Sequence, residues 1–472
     1  MHRQMNALLS LSLVFGALLL AWTVPAQPQT SLAPPQSPAA PPSAAQQLRV
    51  TEPEPKESLL TPSRPTPEGD VPLLRRFIPG LAEGMAQLPP FLRDTSLTLD
   101  LRTFYFNRLN SNATQNEAWA FGGRLAYQSG WLWDTLAVGA VGYSSQPLYA
   151  PEDTPGTLLL KPPQDSITVL GQAYAQLRYK EYALLTGYRQ LVDEDYVNPQ
   201  DNRMIPNTFE GVTVTGKLGP VDYYVGYLTA IKQRQDDRFQ NMASAAGVAT
   251  GENRGLVLTR FSGEPLPGLT LYGANYLVPD VFNTAYGNAE WTHKLTADLS
   301  FQIGIQYTDQ RSVGEALLGN FSTWNVSTRG LVFWRGLTAG AAFSATGDES
   351  KILTPYGTYP GYLNFQERDF DRANEKAWGA GVGYDFGAGT MLPGVRIPGL
   401  SVLVRYADGR DAENPSTSSG LPKVREGDFD VTWNIPWVRG LQFRFRNAYV
   451  AESGERVLKA FRIILNYEIP LL

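Results

Sequence analysis

The sequence predicts an all-β protein, a transmembrane antiparallel barrel of about 18 strands with long loops on one rim and short turns on the other. Three observations predict it. From about Thr95 to the C-terminus, stretches of roughly ten residues alternate apolar with polar and then end in a turn. The connections between them alternate between tight and long. Beyond the N-terminus no stretch is long and apolar enough for a spanning helix.

The chain opens on a secretory signal. His2 and Arg3 are its short basic region, Leu8 to Trp22 its apolar core, and Val24-Pro25-Ala26 its cleavage site, so residues 1–26 are expected to be removed. A retained anchor is the weaker alternative, because the apolar stretch is short and no basic cluster follows it. Residues 27–90 form a Pro-rich, largely disordered periplasmic segment. Its first part, Gln27 to about Asp70, is Pro, Ala, Ser and Gln with too few large apolar residues to offset the entropy of ordering. A plain linker is the preferred reading, and an arm that reaches peptidoglycan is the alternative. A short amphipathic turn at the barrel's base is expected within Val71 to Pro90, and the barrel occupies residues 91–472.

Strand character begins near Thr95, Glu117, Trp131, Ile167, Glu181, Thr208, Val221, Arg254 and Gly268. It resumes near Val281, Thr296, Thr323, Gly336, Glu375, Gly399, Gly427, Gly440 and Leu458. The count is even, as when both termini lie on the periplasmic side. Tight connections include Ser129-Gly130, Tyr179-Lys180, Leu218-Gly219-Pro220, His293-Lys294-Leu295 and Arg335-Gly336. Between them fall long polar ones: Ser145 to Ser166, Gln190 to Asn207, Lys232 to Asn253, Thr346 to Asn374 and Ala407 to Glu426. Val278-Pro279-Asp280 and Ala388 to Pro398 break the alternation. A soluble sandwich has no reason to sort its loops by length in this way.

Successive side chains on a strand face opposite ways, so one parity meets lipid and the other the lumen. Trp119, Phe121, Leu125 and Tyr127 share a parity, as do Leu299, Phe301, Ile303, Ile305 and Tyr307, and Leu400, Val402, Val404 and Tyr406. Aromatics at strand ends (Trp131, Tyr182, Tyr188, Tyr406, Trp433, Trp437) suit interfacial girdles. The first strand is imperfect. Phe104 and Phe106 fall on the lumen parity and Thr103 on the lipid parity, for which a bulge is the expected reason.

Composition excludes several kinds of chemistry. With no Cys there are no disulfides, thiol nucleophiles or Cys-bound metals. A Ser-His-Asp site needs a His, and the chain has only His2, in the signal, and His293, which at a tight turn reads as solvated rather than catalytic. No catalytic residue, metal site or cofactor is expected. Asp236-Asp237 reads as solvated loop charge rather than a Ca²⁺ site. A net charge of −5 argues against nucleic acid as a partner.

Six arginines fall on the lumen parity: Arg102, Arg124, Arg405, Arg444, Arg446 and Arg462. Closure of the barrel brings the first strands beside the last, so these residues gather on one wall at different heights. A staggered ladder of guanidinium groups could hand a carboxylate from one to the next. The plainer alternative is pairing with lumen acids such as Asp100, Asp385, Asp430 and Glu468. The loop from Gln190 to Asn207 carries Asp193, Glu194, Asp195, Asp201 and Arg203; folded inward it would narrow the pore, its acids facing the basic wall.

Two segments resemble the OprD-type outer-membrane porin family. Phe91 to Arg108, FLRDTSLTLDLRTFYFNR, is similar to that family's opening strand, and Pro398 to Asp411, PGLSVLVRYADGRD, to a late strand. Arg203 to Val212, RMIPNTFEGV, and the closing FRIILNYEIPLL are similar to its third-loop exit and last strand. The resemblance implies an eighteen-stranded barrel narrowed by inward loops, with a basic ladder for small carboxylate-bearing solutes; Arg102 and Arg405 lie within the matching motifs. The Pro-rich arm and the loops depart from the family pattern, and the chain ends in Leu472 rather than Phe.

Together these readings give an expected function: passive diffusion of small water-soluble solutes through the bacterial outer membrane. The expected partners are those solutes and the membrane lipid, with peptidoglycan if the arm reaches it. Monomer and homotrimer both stay open. The alternative is a non-conducting structural or wall-tethering barrel.

Overall fold

The computed structural model describes residues 72–472, apart from Pro79, Glu181, Thr250 and Ala388. The signal segment and the Pro-rich arm up to Val71 lie outside the described residues.

Among the described residues, nineteen strands form one antiparallel sheet. They are β1 (Ser96–Leu109), β2 (Gln115–Gln128), β3 (Leu136–Tyr149), β4 (Ile167–Tyr179), β5 (Ala183–Gln190), β6 (Thr208–Leu218) and β7 (Val221–Lys232). Next come β8 (Phe239–Asn241), β9 (Leu256–Leu266), β10 (Leu269–Val278), β11 (Phe282–Lys294), β12 (Leu299–Ser312) and β13 (Ser322–Trp334). The series ends with β14 (Leu337–Thr346), β15 (Lys376–Asp385), β16 (Leu400–Arg410), β17 (Val424–Asn434), β18 (Leu441–Glu452) and β19 (Leu458–Pro470). The short β8 pairs only with the tip of β7, inside a loop, and β7 pairs onward with β9. The other eighteen close the barrel through β19 and β1, from Thr98↔Pro470 to Leu109↔Lys459.

Strand starts agree with the alternation pattern to within a few residues, except at β3. There the strand begins at Leu136 instead of near Trp131, because Trp133 and Asp134 both take left-handed backbone (φ 50° and 58°) and interrupt extended pairing. Connection lengths segregate by rim as expected, with two further short ones on the long-loop rim, at residues 110–114 and 453–457. At the base, α1 (Leu73–Phe77), α2 (Leu81–Ala86) and α3 (Pro90–Arg93) replace the single amphipathic turn. Leu74 N donates to Leu471 O at 2.9 Å, and Gly130 N to Phe91 O at 2.9 Å, which ties these helices to the strand ends.

The lipid parity is exposed and apolar: Trp119, Phe121 and Leu125 on β2, Ile303, Ile305 and Tyr307 on β12, Val404 and Tyr406 on β16. On the inside, apolar residues of the wall meet apolar residues of three inward loops, L2 (150–166), L3 (191–207) and L7 (347–375). Phe104 and Phe106 pack in one cluster with Leu159 and Leu160 of L2, Met204 and Ile205 of L3, and Tyr362, Leu363, Phe365 and Phe370 of L7.

That cluster corrects the expected bulge in β1. The register of β1 with both neighbours is unbroken. Phe104 and Phe106 point inward because the loops need an apolar floor, and both are fully buried. Thr103 points outward with its hydroxyl accepting from Trp119 Nε1 at 2.7 Å. The register shifts occur elsewhere, between β2 and β3, β3 and β4, β6 and β7, and β9 and β10.

Candidate functional site

Six adjacent strands, β16 to β19 then β1 and β2, carry the six lumen arginines on one wall. Cross-strand register sets their neighbours. Arg405 stands opposite Asp428, Asp430 opposite Arg446, Arg446 opposite Arg462, and Arg462 opposite Phe106. Asp100 stands between Arg124 on β2 and Glu468 on β19. Beside it Gly123 (φ 136°) lets the strands approach closely, since a Cβ there would lie 1.8 Å from Asp100 O.

Each guanidinium has defined company. Arg405 donates to Asp428 at 2.8 Å and to Asn364 O at 3.0 Å, and lies 4.4 Å above the Phe365 ring. Arg446 makes two bonds to Asp430, 2.6 and 3.1 Å, while Arg444 reaches the same carboxylate only at 3.8 Å. Among the described residues the buried Nε of Arg444 has no hydrogen-bond partner. Arg124 pairs with Asp100. Arg102 grips Asp201 of L3 through two bonds, 2.6 and 3.1 Å, and donates to Asn466 Oδ1 at 2.8 Å. Arg462, 2% exposed, pairs with Glu367 of L7.

Two kinds of acid therefore meet the arginines. Asp100, Asp428 and Asp430 sit on strands and are fixed by the sheet. Asp201 and Glu367 sit on loops.

Phe106 organises the centre of this wall. Arg462 lies 4.6 Å from its ring centroid, Arg203 of L3 5.1 Å and Arg108 6.0 Å, so three cations crowd one aromatic. Their shared anion is Glu367, which Arg108 also contacts at 3.3 Å. Burial pushes the Glu367 carboxyl up, but Arg462, Arg108 and Arg203 outweigh it and hold it below the usual range. Burial, and then the like charges of Arg234 and Arg462, push Arg203 well down. Arg234, in the loop of residues 233–255, is pushed down to about 10 by burial and Arg462. The knot is short of negative charge.

The L3 residues do not all face this wall as expected. Asp201 does, on Arg102, and Arg203 donates to Thr157 O at 2.8 Å. Glu194 instead crosses to β9, where Arg260 grips it through two bonds of 3.0 and 2.9 Å and Tyr272 Oη donates at 3.0 Å. Asp193 is exposed and Asp195 half-buried beside Glu194. L3 is thus a strap across the lumen, pinned by a carboxylate at each end.

Half-way round the barrel from β1 and β19, tyrosines replace arginines. Tyr196 of L3 packs against Tyr276 (5.8 Å), Tyr286 (5.7 Å) and Tyr359 (6.4 Å), and Tyr272 against Tyr286 (5.7 Å). Burial pushes the Tyr196 phenol up, Asp195 adding to it and the bond to Thr308 opposing it. This phenol stays neutral.

Parity reasoning missed Arg108, although it shares the face of Arg102, Phe104 and Phe106. Glu367 and Gln366 had no signal beyond the length of L7. Among the described residues no group of three His, Cys, Asp or Glu side chains could hold a metal ion.

Comparison with known proteins places the family and the fold. A family model described as outer membrane porin, OprD family, matches residues 89–471. Porin D of Pseudomonas aeruginosa is 25% identical over 434 residues, covering 82% of this chain and 93% of that one. Among solved structures, Pseudomonas aeruginosa OccK9 (OpdG) superposes with a TM-score of 0.73 at 23% identity, over 81% of this chain and 100% of its own. A BenF-like porin from Pseudomonas fluorescens Pf-5 gives 0.72 at 19%, over 81% and 100%. Pseudomonas aeruginosa OpdK, solved with vanillate, gives 0.70 at 22%, over 80% and 100%. These structures share the fold.

Proposed function

The chain belongs to the OprD family of outer membrane porins, and from that premise we propose that its solutes carry a carboxylate, guided by the arginines of the β16–β2 wall. The family is one of channels for small solutes in the outer membrane, so the question is what this lumen favours.

The observation that carries the reading is an imbalance of charge. Arg444 and Arg446 share Asp430, and Arg462 and Arg108 share Glu367. Each shared acid leaves guanidinium capacity that a solute carboxylate can fill. A guanidinium takes a carboxylate through two parallel bonds, which favours it over chloride or a neutral solute. Several such sites at staggered heights keep each grip moderate, as downhill conduction requires. OpdK was solved with vanillate, an aromatic carboxylate, and that relative agrees with the proposed class.

The test is the double variant Arg405→Gln/Arg446→Gln in planar bilayers. Lower carboxylate permeation with the barrel intact is expected, and unchanged solute selectivity would remove the ladder.

A second reading has one observation in its favour. L2, L3 and L7 pack an apolar cluster inside the lumen, which suits a non-conducting structural barrel with the Pro-rich arm as its working part. Stepwise single-channel conductance from the purified protein separates the two.

A further inference from the structure

The L7 segment from Asn364 to Arg368 is laid along the basic wall like a ligand. Asn364 O accepts from Arg405 at 3.0 Å. Gln366 donates through its backbone N to Asp428 (3.2 Å) and through Nε2 to Asp430 (3.2 Å), and its Oε1 and backbone O both accept from Arg462 (3.2 Å each). Glu367 N donates to Glu426 at 2.8 Å, while its carboxylate takes Arg462 and Arg108. Arg368 pairs with Glu452. Five consecutive residues thus engage five strands of the wall.

The chemistry that Glu367 presents to Arg462 and Arg108 is the chemistry proposed for the solute. We propose that Glu367 is a specificity-determining residue: a tethered carboxylate that occupies the central rung until a solute carboxylate replaces it.

This inference rests on the ladder reading and deepens it. Arg462 is almost wholly buried, so withdrawing Glu367 without a substitute leaves an uncompensated charge, which is strongly unfavourable. A solute carboxylate restores the lost pairing as L7 moves off. Exchange is then less costly for a carboxylate than for a neutral molecule, so selection acts at the opening step as well as along the path. Asp428 and Asp430 cannot play this part, because the sheet holds them in place. Asp201, on L3, meets one arginine through two bonds, whereas Glu367 is divided between Arg462 and Arg108.

The experiment uses the full-length protein in planar bilayers, with acetate as the probe and acetamide as its neutral isostere. In the wild type the open probability is expected to rise several-fold and saturably with acetate, and not with acetamide or added chloride. Glu367→Gln should be open without acetate and indifferent to it. Glu367→Asp, which keeps the charge on a shorter arm, guards against a folding defect; it should respond to acetate with half-saturation shifted several-fold lower. A wild type indifferent to acetate overturns the proposal. So does an equal response to acetate and acetamide, or a Glu367→Asp half-saturation unchanged from wild type. The outcomes separate from those of the ladder: acetate-dependent opening that persists while Arg405→Gln/Arg446→Gln leaves selectivity unchanged would sink the ladder and keep the Glu367 contact.

Discussion

On the wall formed by β16 to β19, β1 and β2, Arg444 and Arg446 share Asp430, and Arg462 and Arg108 share Glu367 of L7. Half-way round, on β9 to β11, a single arginine, Arg260, is gripped by a single glutamate, Glu194, amid tyrosines. Both contacts join a loop acid to a wall arginine, yet they do different work. The Glu194–Arg260 pair has two parallel bonds, a third from Tyr272, and little exposure on either side, so it has nothing left to offer a solute. Glu367 divides itself between two arginines, with a third nearby, and leaves them under-neutralised. The type of bond is the same; how fully each group is satisfied decides whether it fastens the structure or can exchange.

The largest way to probe that difference is to break the fastened side. Glu194→Gln strands Arg260 in a buried place, and removing one partner of such a pair typically destabilises by about 3–5 kcal/mol. Release of L3 and a lowered unfolding temperature are expected; an unfolding temperature equal to that of the wild type contradicts the strap. Next comes the floor of the open side. Phe106→Ala removes a buried ring and the face on which Arg462 and Arg203 lie, and large-to-small changes of this kind are worth about 3 kcal/mol or more. Besides lost stability, noisier currents are expected as L3 and L7 loosen, and quiet wild-type currents would deny Phe106 that role.

A pH effect of moderate size follows from L7. Burial pushes the Asp369 carboxyl up to about 6, with Lys351, Arg234 and Arg368 opposing, and burial together with Asp369 pushes neighbouring Asp371 well up. A carboxyl raised in the docked loop favours docking when protonated. That stabilisation is complete below the ordinary Asp range and is lost as pH rises through about 6. Open probability should therefore fall several-fold from about pH 7 to about pH 5, and Asp369→Asn should flatten the dependence. Rising conductance on acidification would reverse the sign and refute it. The smallest effect belongs to an exposed pair near a short turn. Loss of Lys217–Asp222, 3.4 Å apart and well solvated, should change stability by about 0–1 kcal/mol and leave selectivity as it was.

How much of this was legible in the sequence differs by element. Strand number and facing were readable because a β-strand has period two and lipid demands apolar side chains on one parity. The same rule placed the six lumen arginines inward and brought the ends of the chain together. It misjudged the start of β3, since left-handed backbone at Trp133 and Asp134 leaves no alternation to detect. It left Phe104 and Phe106 puzzling, because an inward aromatic makes sense only once loops are known to fill the lumen. Loops have no period. Asp201 lies against the basic wall, on Arg102, a partner the sequence did not single out, Glu194 went to the far wall, and Glu367 gave no sign of its place, since its partners on β1 and β19 lie far away in sequence and meet it only through the closed barrel.

The most direct measurement is the zero-current potential of single wild-type channels across a gradient of potassium acetate. A potential with the sign of acetate preference is expected, reduced in Arg405→Gln/Arg446→Gln. A potassium preference in the wild type, or no current at any voltage, would contradict a carboxylate path along this wall.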